Sequence, residues 1–92
     1  MKNDVYYYSD NIKFFNAKDG IGIHNFDNDR YYYLEGTSLY IWFMLDGTTS
    51  VGEIIESINN NCKNISNTVD VEKEVMQFLN QLVSDGLIVK VR

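Results

Sequence analysis

Apolar and polar positions alternate with a period of two in the first third of the chain and shift to a helical period after residue 36. Residues 12–16 (IKFFN), 21–26 (IGIHNF) and 30–34 (RYYYL) read as the three strands of a meander. Lys18-Asp19-Gly20 separates the first two, and Asp-Gly supplies the positive φ that a tight hairpin demands. Asp27-Asn28-Asp29 separates the next pair, a turn of residues whose side chains bond their own backbone. In the third strand Tyr32 and Leu34 share one face, expected inward, and Tyr31 and Tyr33 share the other, expected outward. An open sheet leaves at least one edge with unpaired N–H and C=O groups, and such an edge can capture an extended peptide. Residues 5–8 (VYYY) have strand propensity but no local partner, so an arm, an edge strand and an oligomer contact all stay open.

Three helices follow. The first opens at Gly36-Thr37-Ser38, with Thr37 or Ser38 as N-cap, and places Ser38, Ile41, Trp42 and Leu45 on one stripe. Tyr40, Phe43 and Met44 make its remainder apolar, so packing on most sides is expected, and Asp46-Gly47 is its stop. The second begins with a capping box, Ser50 and Glu53, and carries Val51, Ile54, Ile55 and Ile58 at i, i+3, i+4 and i+7. Residues 59–67 have no periodicity and read as a loop, in which the sequon at 64–66 is taken as accidental. Asp70 is expected to cap the third helix, which runs to about Ser84 with Val71, Val75, Phe78 and Leu82 on one stripe and Leu79 beside it. Met76 and Val83 widen that apolar arc beyond a single core contact, enough to line a groove. Asp85-Gly86 ends the helix, and residues 87–91 (LIVKV) read as a terminal strand or tail.

The 92 residues bound the chain to one small domain. A net charge of −5, with no run of Lys or Arg, opposes binding to a phosphate backbone and suits neutral or basic peptides. The longest apolar run is far shorter than the roughly 20 residues of a membrane helix, and the opening MKNDVYYYSD has no signal-peptide core, so a cytoplasmic protein is expected. One cysteine, Cys62, excludes an internal disulfide and a cysteine-pair metal site. His24 has no second histidine or cysteine nearby to make a metal ligand or general base, so it reads as structural or solvent-exposed. Asp27, Asp29 and Glu35 lack EF-hand spacing, and Asp46, Glu53 and Glu56 fit capping and a solvated face. No catalytic constellation and no cofactor motif is present, so the chain reads as a non-enzyme. The tyrosines of the third strand either fill a half-buried pleat or flank a peptide-binding edge.

The order of short motifs resembles the PqqD-like proteins, the recognition elements of ribosomal peptide modification. The residues that carry the likeness are Tyr32-Tyr33-Leu34, Gly36-Thr37, Ile41-Trp42, Leu45-Asp46-Gly47, Ser50-Val51 with Glu53-Ile54, Phe78-Leu79 with Leu82, and Gly86-Leu87-Ile88. The likeness as a whole runs from about residue 12 to 89, nearly the whole chain. Glu35 departs from the pattern, because asparagine is frequent there, and a differently capped corner follows. The resemblance implies an α+β, winged helix-turn-helix-like fold in which a three-stranded antiparallel sheet is followed by three helices. It further implies a cofactor-free, monomeric or homodimeric peptide chaperone. Such a protein binds a precursor leader peptide and presents it to a radical SAM enzyme, a lasso-type protease or a cyclase. The leader would add as a strand beside the third helix, giving Arg30, Tyr31, Tyr32, Tyr33, Leu34, Met76, Leu79 and Val83 as the binding residues. Glu72 and Asp85 near that groove would favour a basic leader. Two rival readings are a winged-helix DNA-binding regulator and a dimerisation module of a larger synthase. The first meets a third helix whose lone Lys73 stands among Asp70, Glu72 and Glu74.

Overall fold

The computed structural model describes residues 2–61 and 68–92, the stretch 68–70 by its backbone. Cys62 and the sequon fall outside what is described; the third helix is already formed at Thr68, so Asp70 lies within it and not at the N-cap position expected. The meander is present as β2 (Ile12–Ala17), β3 (Gly20–Asn25) and β4 (Arg30–Glu35), antiparallel in the order β2-β3-β4. Helices α1 (Gly36–Phe43), α2 (Val51–Asn61) and α3 (Thr68–Ser84) follow. The flanking segments form a second sheet, β1 (Tyr6–Tyr8) paired antiparallel with β5 (Ile88–Lys90). Of the possibilities open for the tyrosine-rich start, strand pairing with the end of the chain is the one the fold uses.

The N-terminal segment also completes α2. A helix begins with N–H groups that have no intrahelical acceptor. The N–H of Val51 donates to the carbonyl of Asp4 at 2.9 Å, and that of Gly52 to the carbonyl of Lys2 at 2.8 Å. The capping box supplies the rest: Glu53 N–H donates to Ser50 Oγ at 3.2 Å, and Ser50 N–H donates to Glu53 Oε1 at 2.9 Å. Val51, Ile54, Ile55 and Ile58 are all buried, as their spacing requires. The helix extends to Asn61, so the first three residues expected in a loop are helical.

The turns differ from expectation in one instructive way. Ala17 pairs with Gly20, so the hairpin loop is Lys18-Asp19, and Asp19 itself takes the positive φ of 62°. Gly20 is a strand residue that needs its missing side chain for space, because a Cβ there would stand 2.1 Å from the Leu34 carbonyl oxygen. In the second turn Asn28 Oδ1 accepts the Arg30 N–H at 3.0 Å, and Asp29 adopts φ 56°.

Neither Thr37 nor Ser38 caps α1. The helix starts at Gly36, and Glu35, extended and without a side-chain capping bond, takes the N-cap position. The helix ends at Phe43, before the expected stop. Asp46 instead builds the turn into α2, accepting the N–H groups of Thr48 and Thr49 at 2.9 Å each. Ile41, Trp42 and Leu45 are buried, while Tyr40 and Phe43 are exposed, so α1 is covered on fewer sides than its composition suggests. Trp42 is enclosed by the rings of Tyr8 and Phe14, at centroid distances of 4.7 and 5.5 Å, and Tyr8 Oη donates to its carbonyl at 2.7 Å.

Candidate functional site

The strand that carries the expected site is an edge. β4 pairs with β3 alone among the described strands, which leaves its other side open. The pleat sorts its side chains as the alternation requires. Leu34 is buried and Tyr32 packs against the core, while Tyr31 and Tyr33 are 66% and 49% exposed. The outward rings are held in place. Tyr31 stacks on His24 at a centroid distance of 4.2 Å with an interplanar angle of 5°, and His24 Nε2 lies 2.8 Å from Asp29 Oδ1. Tyr33 Oη shares its one proton between two acceptors, the carbonyl of Lys18 and Glu35 Oε2, the latter at 3.1 Å. His24 is thus a structural residue with a turn aspartate as partner.

β4 runs directly into α1, and beside that corner lies a cavity of about 110 Å³. Its walls include Thr37, Ser38 and Ile41 of α1, and Glu74, Val75 and Phe78 of α3. The far end of α3 is tied to the sheet by Asn25, the last residue of β3 and 2% exposed. Asn25 Nδ2 donates to the Asp85 carbonyl at 2.9 Å, and Oδ1 accepts from Asn11 Nδ2 at 3.0 Å and from the Asp27 N–H at 2.9 Å. Asn25 pairs with Arg30 in the sheet, so α3 runs opposite in direction to β4.

This geometry decides which flank of α3 adjoins β4. Successive helical residues are about 100° apart, so Glu74, Phe78, Gln81 and Asp85 make one stripe and Glu72, Met76 and Val83 another. The buried face of Val75, Leu79 and Leu82 separates them. The first stripe meets α1 and the sheet, whereas Glu72 pairs with Lys2 of the N-terminal segment at 2.7 Å. Met76 and Val83 therefore stand on the flank away from the β4 corner, and Glu72 stands there with them. Leu79 is fully buried (0% exposed) and has no surface to offer a ligand. Two residues went unread in the sequence, Phe78 as a wall of the corner cavity and Asn25 as the tether at the far end of α3. The signal for Phe78 was its i, i+4 spacing from Glu74; nothing local distinguishes Asn25.

Among the described residues no three histidine, cysteine, aspartate or glutamate side chains converge to hold a metal ion. No described helix is long and apolar enough to cross a membrane. The site has an open strand edge, aromatic side chains and a cavity of apolar and polar walls, which are the means of binding an extended chain.

A three-stranded antiparallel sheet leading into a three-helix unit, with an open third strand beside the last helix, defines a winged-helix-like α+β domain. The chain belongs to the PqqD family, whose model, described as coenzyme PQQ synthesis protein D, matches residues 23–88. Two solved structures share the fold. One is described as lasso peptide synthetase B1 complexed with the leader peptide. Its TM-score is 0.81 at 14% identity, over 91% of this chain and 96% of that one. The other, TbiB1 in complex with the TbiA(beta) leader peptide, has a TM-score of 0.72 at 23% identity, over 88% of this chain and 93% of that one. No curated protein sequence matches this one significantly.

Proposed function

We propose that this protein binds the leader segment of a ribosomally made precursor peptide and delivers it to a modifying enzyme, without catalysing a reaction itself. The leader pairs through its main chain with residues 30–34 as a strand added to β4. Its side chains meet Tyr31 and Tyr33 on one face and the α1–α3 corner, with Phe78, on the other. Leu79 underlies that corner from within the core, and Met76 and Val83 lie outside it. The observation that carries this reading is an open edge beside a partly apolar cavity in a chain of the PqqD family. Both structural relatives are described as leader-peptide complexes, which supports it. The enzyme served is a radical SAM enzyme, a lasso-type protease or a cyclase, partners that the family resemblance brings. A DNA-binding role has no comparable support, because Lys73 is the one cation of α3 and stands between Glu72 and Glu74.

Hydrogen–deuterium exchange tests the proposal, using a synthetic leader of the precursor encoded nearest the gene. Amides of residues 30–35 should slow on binding, and alternate backbone N-methylation of the leader should abolish the effect. Binding that protects β2, or that survives N-methylation, would overturn strand addition to β4.

A further inference from the structure

The cavity at the β4–α1 corner has mixed chemistry. Ile41, Val75 and Phe78 give it apolar walls, while the hydroxyls of Thr37 and Ser38 and the carboxylate of Glu74 give it acceptors. Among the described residues no lysine or arginine lines it and no cation pairs with Glu74. Glu35, a second carboxylate, ends β4 at the same corner. Arg30 lies at the opposite end of the strand, about 17 Å away at the rise of an antiparallel strand. A purely apolar side chain in this cavity would remove water from Glu74 and offer it nothing in return. A long aliphatic stem ending in a cation would satisfy both halves, its methylenes along Val75 and Phe78 and its charge at the carboxylate.

We infer that this cavity selects a lysine or arginine side chain of the bound peptide, with Glu74 as the specificity-determining residue. The inference rests on the proposal that the peptide adds to β4, and it states which residue that peptide must carry.

A random library of short displayed peptides, selected against the whole protein, tests both. Selected peptides should share a cationic residue at one fixed position. Changing that residue to glutamine in a synthetic consensus peptide should weaken binding about fivefold, the size of an ion pair partly removed from water. The same change should have no effect against Glu74→Gln, a variant at an exposed helix position that leaves the core intact. The coupling should shrink as salt rises. Selected peptides with no shared cation, or an equal loss against Glu74→Gln, would overturn the inference while leaving strand addition standing. Failure to select any peptide, or selected peptides that bind equally well when N-methylated, would overturn strand addition and the inference with it.

Discussion

Asn25 is the polar residue on which the position of α3 depends, and Asn25→Ala tests that dependence. The substitution removes three hydrogen bonds at 2.9, 3.0 and 2.9 Å from a side chain only 2% exposed. Asn11 keeps a partner, because its Nδ2 also donates to Asp27 Oδ2 at 2.7 Å. The Asp85 carbonyl and the Asp27 N–H lose theirs. A buried polar group left unpaired costs about 1–3 kcal/mol, and these groups are partly buried, so a total of about 2–4 kcal/mol is expected. For a domain of this size that is a large fraction of the net stability and lowers Tm by at least about 8 °C. Urea unfolding followed by tryptophan fluorescence reads it directly, since Trp42 is buried in the core. The midpoint should fall with an unchanged slope. Peptide affinity should fall too, although Asn25 faces the core, because the end of α3 is no longer held against the sheet. A variant within about 0.5 kcal/mol of the parent would refute the tether, since surface substitutions commonly have effects of that size.

Leu79→Ala should cost about 2–5 kcal/mol in urea unfolding, as a fully buried side chain does. Phe78→Ala should instead act mainly on peptide affinity, measured by fluorescence polarisation of a labelled leader. Asp46 is held down to about 2 by the N–H groups of Thr48 and then Thr49. Because its folded value lies below its unfolded one, it adds stability above pH about 4 that disappears as pH falls towards 2. Asp46→Ala should flatten that part of the acid-unfolding curve. Tyr8 is pushed up to about 12, first by burial and then by Asp46 and Tyr7. Its stabilising contribution is present below pH 10 and is lost as pH rises towards 12, so the ultraviolet titration should show a late tyrosine step near pH 12 that is absent in Tyr8→Phe.

Where local chemistry decides structure, the sequence was enough. The meander, the capping box of Ser50 and Glu53, the buried stripe of α2 and the inward turn of Leu34 follow from period, turn residues and caps. The errors fall where a distant segment decides. Asp19-Gly20 looked like the hairpin turn, yet the register places Gly20 against Glu35, where backbone crowding from Leu34 explains the glycine. Residues 6–8 could not be assigned because their partner, β5, lies some 80 residues further along. The first turn of α2 is completed by the carbonyls of Asp4 and Lys2, which no window around Val51 contains.

The same distinction bears on the half of the site that was expected on α3. A helical wheel of α3 shows a core face with two flanks, and apolarity alone favours the flank of Met76 and Val83. Which flank meets β4 is fixed by two contacts across the fold, Asn25 with Asp85 on one side and Lys2 with Glu72 on the other. The side facing the strand is the less apolar one, with Glu74, Gln81 and Asp85 around Phe78. A groove for extended peptides need not be the most hydrophobic surface of the helix beside it, because main-chain pairing to an open edge such as β4 would supply affinity that is indifferent to sequence. What remains for α3 is discrimination, and discrimination needs polar groups that a wrong side chain leaves unpaired. If the leader adds to β4 as proposed, the carboxylate of Glu74, and not the methylenes of Met76, is on that argument the group on α3 that would distinguish one leader from another.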